Sequence, residues 1–248
     1  MSISLCLSTK ALFTRHSLIG LPKFTYQTYT FRMPLIRSVF QDELDHVSST
    51  LLQMSEMVTS SITKASKAIQ TVDLALAEEV IASDEVLDTV QHELDSRIID
   101  IIARQQPVAS DLRALVTALR MAADLERMGD LAHHVSKVVR LRHPESAIPA
   151  ELAPLFKRIG DAAINMSEKT EKVIETRDTK MAIMLEREDD EMDNLHRELI
   201  ASLANSNWSH GVETAIDLTL LGRYYERFSD HAVSVSRRVY FLVTGTYY

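Results

Sequence analysis

The feature that most constrains this chain is an internal repeat. Thr71-Val72-Asp73 matches Thr176-Arg177-Asp178, Asp84 matches Asp189, Asp88 matches Asp193, and Glu93-Leu94 matches Glu198-Leu199, all at an offset of 105. Further on, Glu126-Arg127-Met128-Gly129-Asp130 matches Glu226-Arg227-Phe228-Ser229-Asp230 at an offset of 100. Losing five residues between the two segments is what a shortened loop does, because loops tolerate length changes that elements do not. A repeat of this size means one supersecondary unit built twice.

The unit is helical. Apolar residues recur at steps of three and four through Phe40, Leu44, Val47, Leu51, Met54, Val58, Ile62, Ala65 and Ile69, the pattern of one long amphipathic helix. A second helix starts near Asp73 and carries Leu87, Leu94 and Ile98 until Pro107 stops it. Ser110 or Asp111 is placed to cap the third, which runs through Leu115, Leu119, Met128 and Val135. Pro144, Pro149 and Pro154 then break the pattern. It restarts at Leu155 for a fourth helix, continues through Met181 to Leu203 for a fifth, turns over Asn205 to Gly211, and ends in a sixth through Ile216, Leu220, Phe228 and Val239. Short loops between long helices force antiparallel neighbours. The expected architecture is all-α: two tandem three-helix bundles, residues 33–143 and 155–248, joined by a linker at 144–154.

Residues 1–32 are of another kind. They hold Lys10, Arg15, Lys23 and Arg32, no acid, and no sustained helical period, and they are expected to be a disordered leader or a misplaced start ahead of Met33. The overall charge of −8 therefore leaves −12 on the remainder, a balance that does not invite nucleic acid. Cys6 is the sole cysteine, so no intramolecular disulfide can form and a cytoplasmic location is expected. Charges interrupt every helical stretch, and no run approaches the ~20 apolar residues of a membrane span.

Each half carries two acidic pairs at i, i+4: Asp84 with Asp88 and Glu126 with Asp130, then Asp189 with Asp193 and Glu226 with Asp230. Such pairs share one helix face and cost an isolated helix about 0.2–0.5 kcal/mol each. A single pair ordinarily reads as a solvated surface, with Arg127, Arg223 and Arg227 close enough to neutralise it. Repetition in both halves shifts the reading to four carboxylates converging on a metal ion or a partner. Oxygen donors suit Mg²⁺, Ca²⁺, Mn²⁺ or iron, with Zn²⁺ also open. Three histidines follow an acid at i+3: Glu43 with His46, Asp130 with His133, and Asp193 with His196. Helical di-iron proteins use Glu-x-x-His pairs, and only Glu43 with His46 has those residue types. A carboxylate-bridged iron oxidase or store, or a plain helical scaffold, are thus the alternatives to a binding protein. No glycine-rich phosphate loop or nucleophile elbow is present, so no enzyme is expected. Trp208, Tyr240, Tyr247 and Tyr248 are aromatic contacts open to packing or partners.

Larger motifs carry a family resemblance: Ala103-Arg104-Gln105-Gln106-Pro107-Val108-Ala109, Asp111-Leu112-Arg113, Asp124-Leu125-Glu126-Arg127-Met128-Gly129-Asp130, and Tyr224-Tyr225-Glu226-Arg227-Phe228-Ser229-Asp230-His231-Ala232. Through them the body resembles PhoU, the phosphate-transport regulator, in its actinobacterial form. The resemblance implies two three-helix bundles about a pseudo-two-fold axis, with acidic motifs able to hold metal clusters at the eight carboxylates named above. It implies a negative regulator of phosphate uptake without turnover. The implied partners are the ATPase of the phosphate-specific ABC transporter and a sensor histidine kinase, with membrane association only through them. A homodimer is compatible with this reading. Ser229 stands where the first motif has Gly129, so the two sites need not be equivalent.

Overall fold

A computed structural model describes residues 34–246, so the expectations for residues 1–32, Met33, Tyr247 and Tyr248 lie outside the described residues. Six helices follow one another: α1 (Pro34–Thr71), α2 (Leu74–Gln105), α3 (Ala109–Arg142), α4 (Ala153–Thr176), α5 (Thr179–Leu203) and α6 (Gly211–Thr244). A single 3₁₀ turn at Ala150–Leu152 precedes α4. Among the described residues there is no strand, and no helix is long and apolar enough to cross a membrane. The all-α expectation holds.

The first repeated segment is a turn. Asp73 caps α2, its carboxylate accepting from Leu76 N at 3.0 Å, and Asp178 caps α5 by accepting from Lys180 N at 2.8 Å. Before each cap, Val72 and Arg177 take left-handed backbone with φ of 55° and 54°. Before those, Thr71 and Thr176 donate their hydroxyls back to Lys67 O and Lys172 O. Thr, a left-handed residue and a capping Asp thus form the same tight corner twice. A β-branched Val in that backbone region is uncommon and strained, which shows how strongly the flanking helices dictate the corner.

Two boundaries differ from the sequence reading. The N-cap of α3 is Val108, extended and without a side-chain cap, and Asp111 lies inside the first turn, where its charge favours the positive helix end. Pro154 belongs to the start of α4 rather than to the linker, because a first-turn proline lacks only an N–H that would be unpaired anyway.

Helices α1, α2 and α3 pack together, as do α4, α5 and α6; α1 against α4 and α3 against α6 join the halves. Ile62, Met54, Leu125, Met128, Phe156, Met166 and Phe228 are wholly buried in the resulting core. Buried polar contacts also cross the seam between the halves. Ser66 and the fully buried Tyr225 share a hydrogen bond of 3.0 Å, and burial pushes the Tyr225 phenol up, against a smaller opposing effect of Ser66. Thr59 and Ser167 meet at 2.9 Å. Two buried acids cross the seam in opposite senses: Asp124 of α3 accepts from Arg238 at 2.6 Å and His231 at 3.1 Å of α6, and Asp217 of α6 accepts from Arg142 of α3 at 2.5 Å. Burial pushes Asp124 up, but the His231 and Arg238 hydrogen bonds outweigh it and hold the carboxyl below its usual range.

Candidate functional site

The outer helices build two acidic faces, α2 with α3 in the first half and α5 with α6 in the second. The i, i+4 spacing sets each pair on one face of its helix, and packing α2 on α3 and α5 on α6 turns the pairs toward each other. The electrostatics record that convergence. Burial raises Asp88, and Asp84 and Asp130 raise it further; Glu126 is raised by burial, then by Asp130, with Arg127 opposing and Asp88 and Asp84 adding. In the second half, Asp189 is pushed up to about 6 by burial, then by Asp230, Asp193, Asp190 and Glu226. Asp230 is raised by burial and Glu226, with Arg223 and Arg227 opposing. Carboxylates from two helices feel one another in both halves, because ionising one disfavours ionising the next. In each half the four acids lie near enough for their charges to act on one another.

Arginines partly neutralise both faces. Arg127 donates to Asp130 Oδ2 at 2.7 Å and lies 3.7 Å from Glu126, and Arg223 donates to Glu226. The pairing foreseen is present for Arg127 and Arg223, while Arg227 acts on Asp230 only through its charge. Glu43 is engaged by Arg97 of α2 at 2.7 Å, so the one Glu-x-x-His pair with di-iron residue types has its carboxylate committed to a cation.

The histidines divide between the faces. His133 of α3 hydrogen-bonds through Nδ1 to Asp84 Oδ2 of α2, with the two side chains 16% and 13% exposed. His196 of α5 places Nδ1 3.4 Å from Glu226 Oε2 of α6. The i+3 spacing predicted neither partner, since each lies on the facing helix. A cleft of about 300 Å³ opens beside the first face, lined by Ser60, Ser61, Lys64, Ser83, Asp84 and Gly129. The seam acids Asp124 and Asp217 were also missed as a pair of cross-links. A signal existed for Asp124: it falls in the apolar stripe with Met121, Leu125 and Met128, where a carboxylate needs a partner.

Whether the faces fit a metal ion can be judged from their donors. Among the described residues, no group of three or more His, Cys, Asp or Glu side chains stands positioned around one point to hold an ion. The donor chemistry nevertheless fits. Asp88 Oδ1 and His133 Nε2 are both buried without a hydrogen-bond partner, and buried polar atoms are rarely left so. The four carboxylates of each face are hard donors whose mutual repulsion a cation relieves.

Comparison with known proteins places the chain. The PhoU domain model matches residues 51–139 and 156–239, one match in each half. The "phosphate-specific transport system accessory protein PhoU homolog 2" of Mycobacterium tuberculosis is 41% identical over 212 residues, 86% of this chain and 100% of that one. Homolog 1 of the same organism is 36% identical over 210 residues, 85% and 95% of the two chains. The crystal structure of PhoU from Pseudomonas aeruginosa superposes with a TM-score of 0.76 at 28% identity, covering 84% of this chain and all of that one. Two matched repeats and relatives that align over nearly their full length make this chain a member of the PhoU family.

Proposed function

We propose that the chain is a negative regulator of phosphate uptake and phosphate-starvation signalling. In this reading it acts as a metal-binding adaptor in the cytoplasm between the ATPase of the phosphate-specific ABC transporter and a sensor histidine kinase. The observation that carries it is the doubled acidic face on a chain whose relatives are named as accessory proteins of phosphate-specific transport. Asp84, Asp88, Glu126 and Asp130 would hold a cation in the first half, and Asp189, Asp193, Glu226 and Asp230 in the second. A bound ion supplies positive charge that neutralises a face at which several carboxylates otherwise repel one another.

The chain's own residues do the rest by differential affinity. A regulator shifts a partner's equilibrium only as far as it binds one state better than another. The α2–α3 and α5–α6 surfaces present their charges at helix spacing, and Arg127 and Arg223 engage Asp130 and Glu226 when no ion competes. No nucleophile or general base is needed for this work.

The test uses the untagged protein and a variant combining Asp84→Asn, Asp88→Asn, Glu126→Gln and Asp130→Asn. Bound metal after equilibration with Mn²⁺, Fe²⁺, Zn²⁺ or Mg²⁺ is quantified, and capture of the purified transporter ATPase is measured with and without metal. The expected result is stoichiometric metal on the wild type, its loss from the first half of the variant at unchanged helical content, and weaker ATPase capture. Equal capture by both proteins would overturn the adaptor role of the first face. Iron oxidation with turnover would favour an oxidase instead.

A further inference from the structure

The repeat exchanges α1 with α4 and α3 with α6, so each end of the seam between the halves has a counterpart at the other. Both helix pairs at the seam are antiparallel: Asp124 meets Arg238 while Arg142 meets Asp217, and Thr59 meets Ser167 while Ser48 meets Arg177. At one end α4 and α6 begin where α1 and α3 stop, and at the other α1 and α3 begin where α4 and α6 stop. The chain closes the first end itself. Ala147, Ile148 and Leu152 of the linker are buried in the core, and Glu151 is hydrogen-bonded to His210 at the N-cap of α6. At the other end, the repeat offset of 105 sets Val47 in the place of Leu152, and Val47 lies inside α1. There the chain runs on as helix instead of folding over the end.

What remains is a cleft of about 570 Å³ between the four seam helices, floored by Leu51, Leu115, Ala118, Met121 and Val239. That volume falls within the ~300–1,000 Å³ of ligand pockets. Asp45 of α1 and Asp111 of α3 also line it. Among the described residues neither acid forms an ion pair: Asp45 accepts from Gln41 Nε2 at 3.0 Å and Asp111 from Ser110 Oγ at 3.4 Å. Arg177, a cation lining the cleft, donates to Ser48 Oγ at 3.4 Å.

We propose that this cleft docks a segment of a partner protein that is apolar at its centre and flanked by lysine or arginine. Its apolar side chains do at this end what Ala147, Ile148 and Leu152 do at the other, and its cations pair with Asp45 and Asp111. The acidic body, −12 beyond residue 32, adds attraction at longer range. The cleft shares no residue with either acidic face and needs no metal, so the inference goes beyond the function proposed above.

The experiment uses the untagged full chain and a fluorescent peptide of linker sequence 144–152 with Glu145→Lys and Glu151→Lys, which joins the apolar side chains of the linker to cationic flanks. The unaltered linker peptide is the control. Binding is read by fluorescence anisotropy in chelator at low and high salt, with circular dichroism confirming the fold of each variant. The lysine peptide is expected to bind, and the control to bind roughly fivefold or more weakly. Asp45→Asn with Asp111→Asn should weaken the lysine peptide roughly two- to fivefold per acid, as exposed ion pairs do, and remove most of its salt dependence. Ala114→Trp, on the half-buried wall of the cleft, should abolish binding. A photo-crosslinking residue in place of Val243, which lines the cleft and is 49% exposed, then identifies the occupant by mass spectrometry. Crosslinks to the lysine peptide support the proposal. Crosslinks to residues 1–33 of the same chain or to a second copy give the cleft another occupant and overturn it. Equal binding of both peptides, no binding of either, or binding that survives Ala114→Trp overturns it as well.

Discussion

The first and second halves present the same four acids and surround them differently. In the first, Asp84 is held by His133 across the α2–α3 contact; in the second, its counterpart Asp189 is the most perturbed acid, pushed up to about 6 by burial and by Asp230, Asp193, Asp190 and Glu226. The helix corner and the acidic spacing are common to both halves, whereas partners one shell out are not. The repeat thus supplies one scaffold for two faces that differ in the groups around their acids. The seam shows the same pattern. Each half contributes one buried acid, 8% exposed in both cases, but Asp124 accepts from an arginine and a histidine and Asp217 from an arginine that also holds Glu213.

The sharpest way to break the comparison is to strand one seam acid. Arg238→Leu leaves Asp124 buried with only His231 facing it. Stranding one partner of a buried ion pair costs about 3–5 kcal/mol, and the remaining histidine places this change at the low end, near ~3 kcal/mol. Urea denaturation should show that loss, and a double variant Arg238→Leu with Asp124→Leu should recover much of it. A loss as large in the double variant would mean that the seam depends on packing by the arginine stem rather than on the pair. Because Asp124 is held below its usual range, its contribution is complete above the unfolded value of about 3.9. It fades as pH falls through the lower folded value.

Much of this organisation was legible in the sequence because it is local. Steps of three and four placed all six helices, and the Thr-x-Asp matches marked two corners built from the same threonine, left-handed residue and capping aspartate. The i, i+4 acids indicated faces because helix geometry alone sets that relation. What stayed hidden depends on contacts between distant positions. Nothing local pairs His133 with Asp84, or Asp124 with His231 and Arg238, since each partner sits on another helix. The missing side-chain cap of α3 was unreadable for a related reason. Ser110 and Asp111 both have capping chemistry, but the backbone around Pro107 sets the helix start one residue before them.

A second pair of substitutions sharpens the contrast between the acidic faces. Asp84→Asn removes a charged acceptor from His133 and should cost about 1–2 kcal/mol, somewhat below the usual worth of a hydrogen bond to a charged group because the pair is partly exposed. Asp189→Asn should do the opposite. A carboxyl whose folded pKa lies at about 6, against 3.8 for the free group, binds its proton more tightly in the folded state. Stability therefore falls as pH rises between those values, and the full penalty is present above pH 6. In chelator-treated protein, Asp189→Asn should raise the melting temperature at pH 7, with the gain disappearing near pH 4. The gain is on the order of 1 kcal/mol once solvent screening is allowed for. A gain that persists at pH 4 would assign the effect to packing rather than to charge.

The smallest contrast concerns Gly129 and Ser229, which with Met128 and Phe228 are the positions where the duplicated motif changes residue inside the core. Gly129 lies where α3 crowds α2: a Cβ there would run into the buried Leu87 side chain. Gly129→Ala gains up to ~1 kcal/mol of helix propensity but overpacks that contact at about 1–3 kcal/mol, so the net change should be a loss of about 1 kcal/mol. Ser229 occupies the same position of the second half, fully buried, with an Oγ that has no hydrogen-bond partner. Ser229→Ala removes an unsatisfied hydroxyl and adds helix propensity, and should gain ~0.5 kcal/mol or slightly more. The second half makes its own close approach elsewhere, where Gly222 meets Leu199, so the two bundles pack their outer helices at different levels. Opposite signs for Gly129→Ala and Ser229→Ala in denaturant titrations would confirm that difference. Equal losses would mean that Ser229 is held by an ordered water and that the second bundle is packed as tightly there as the first.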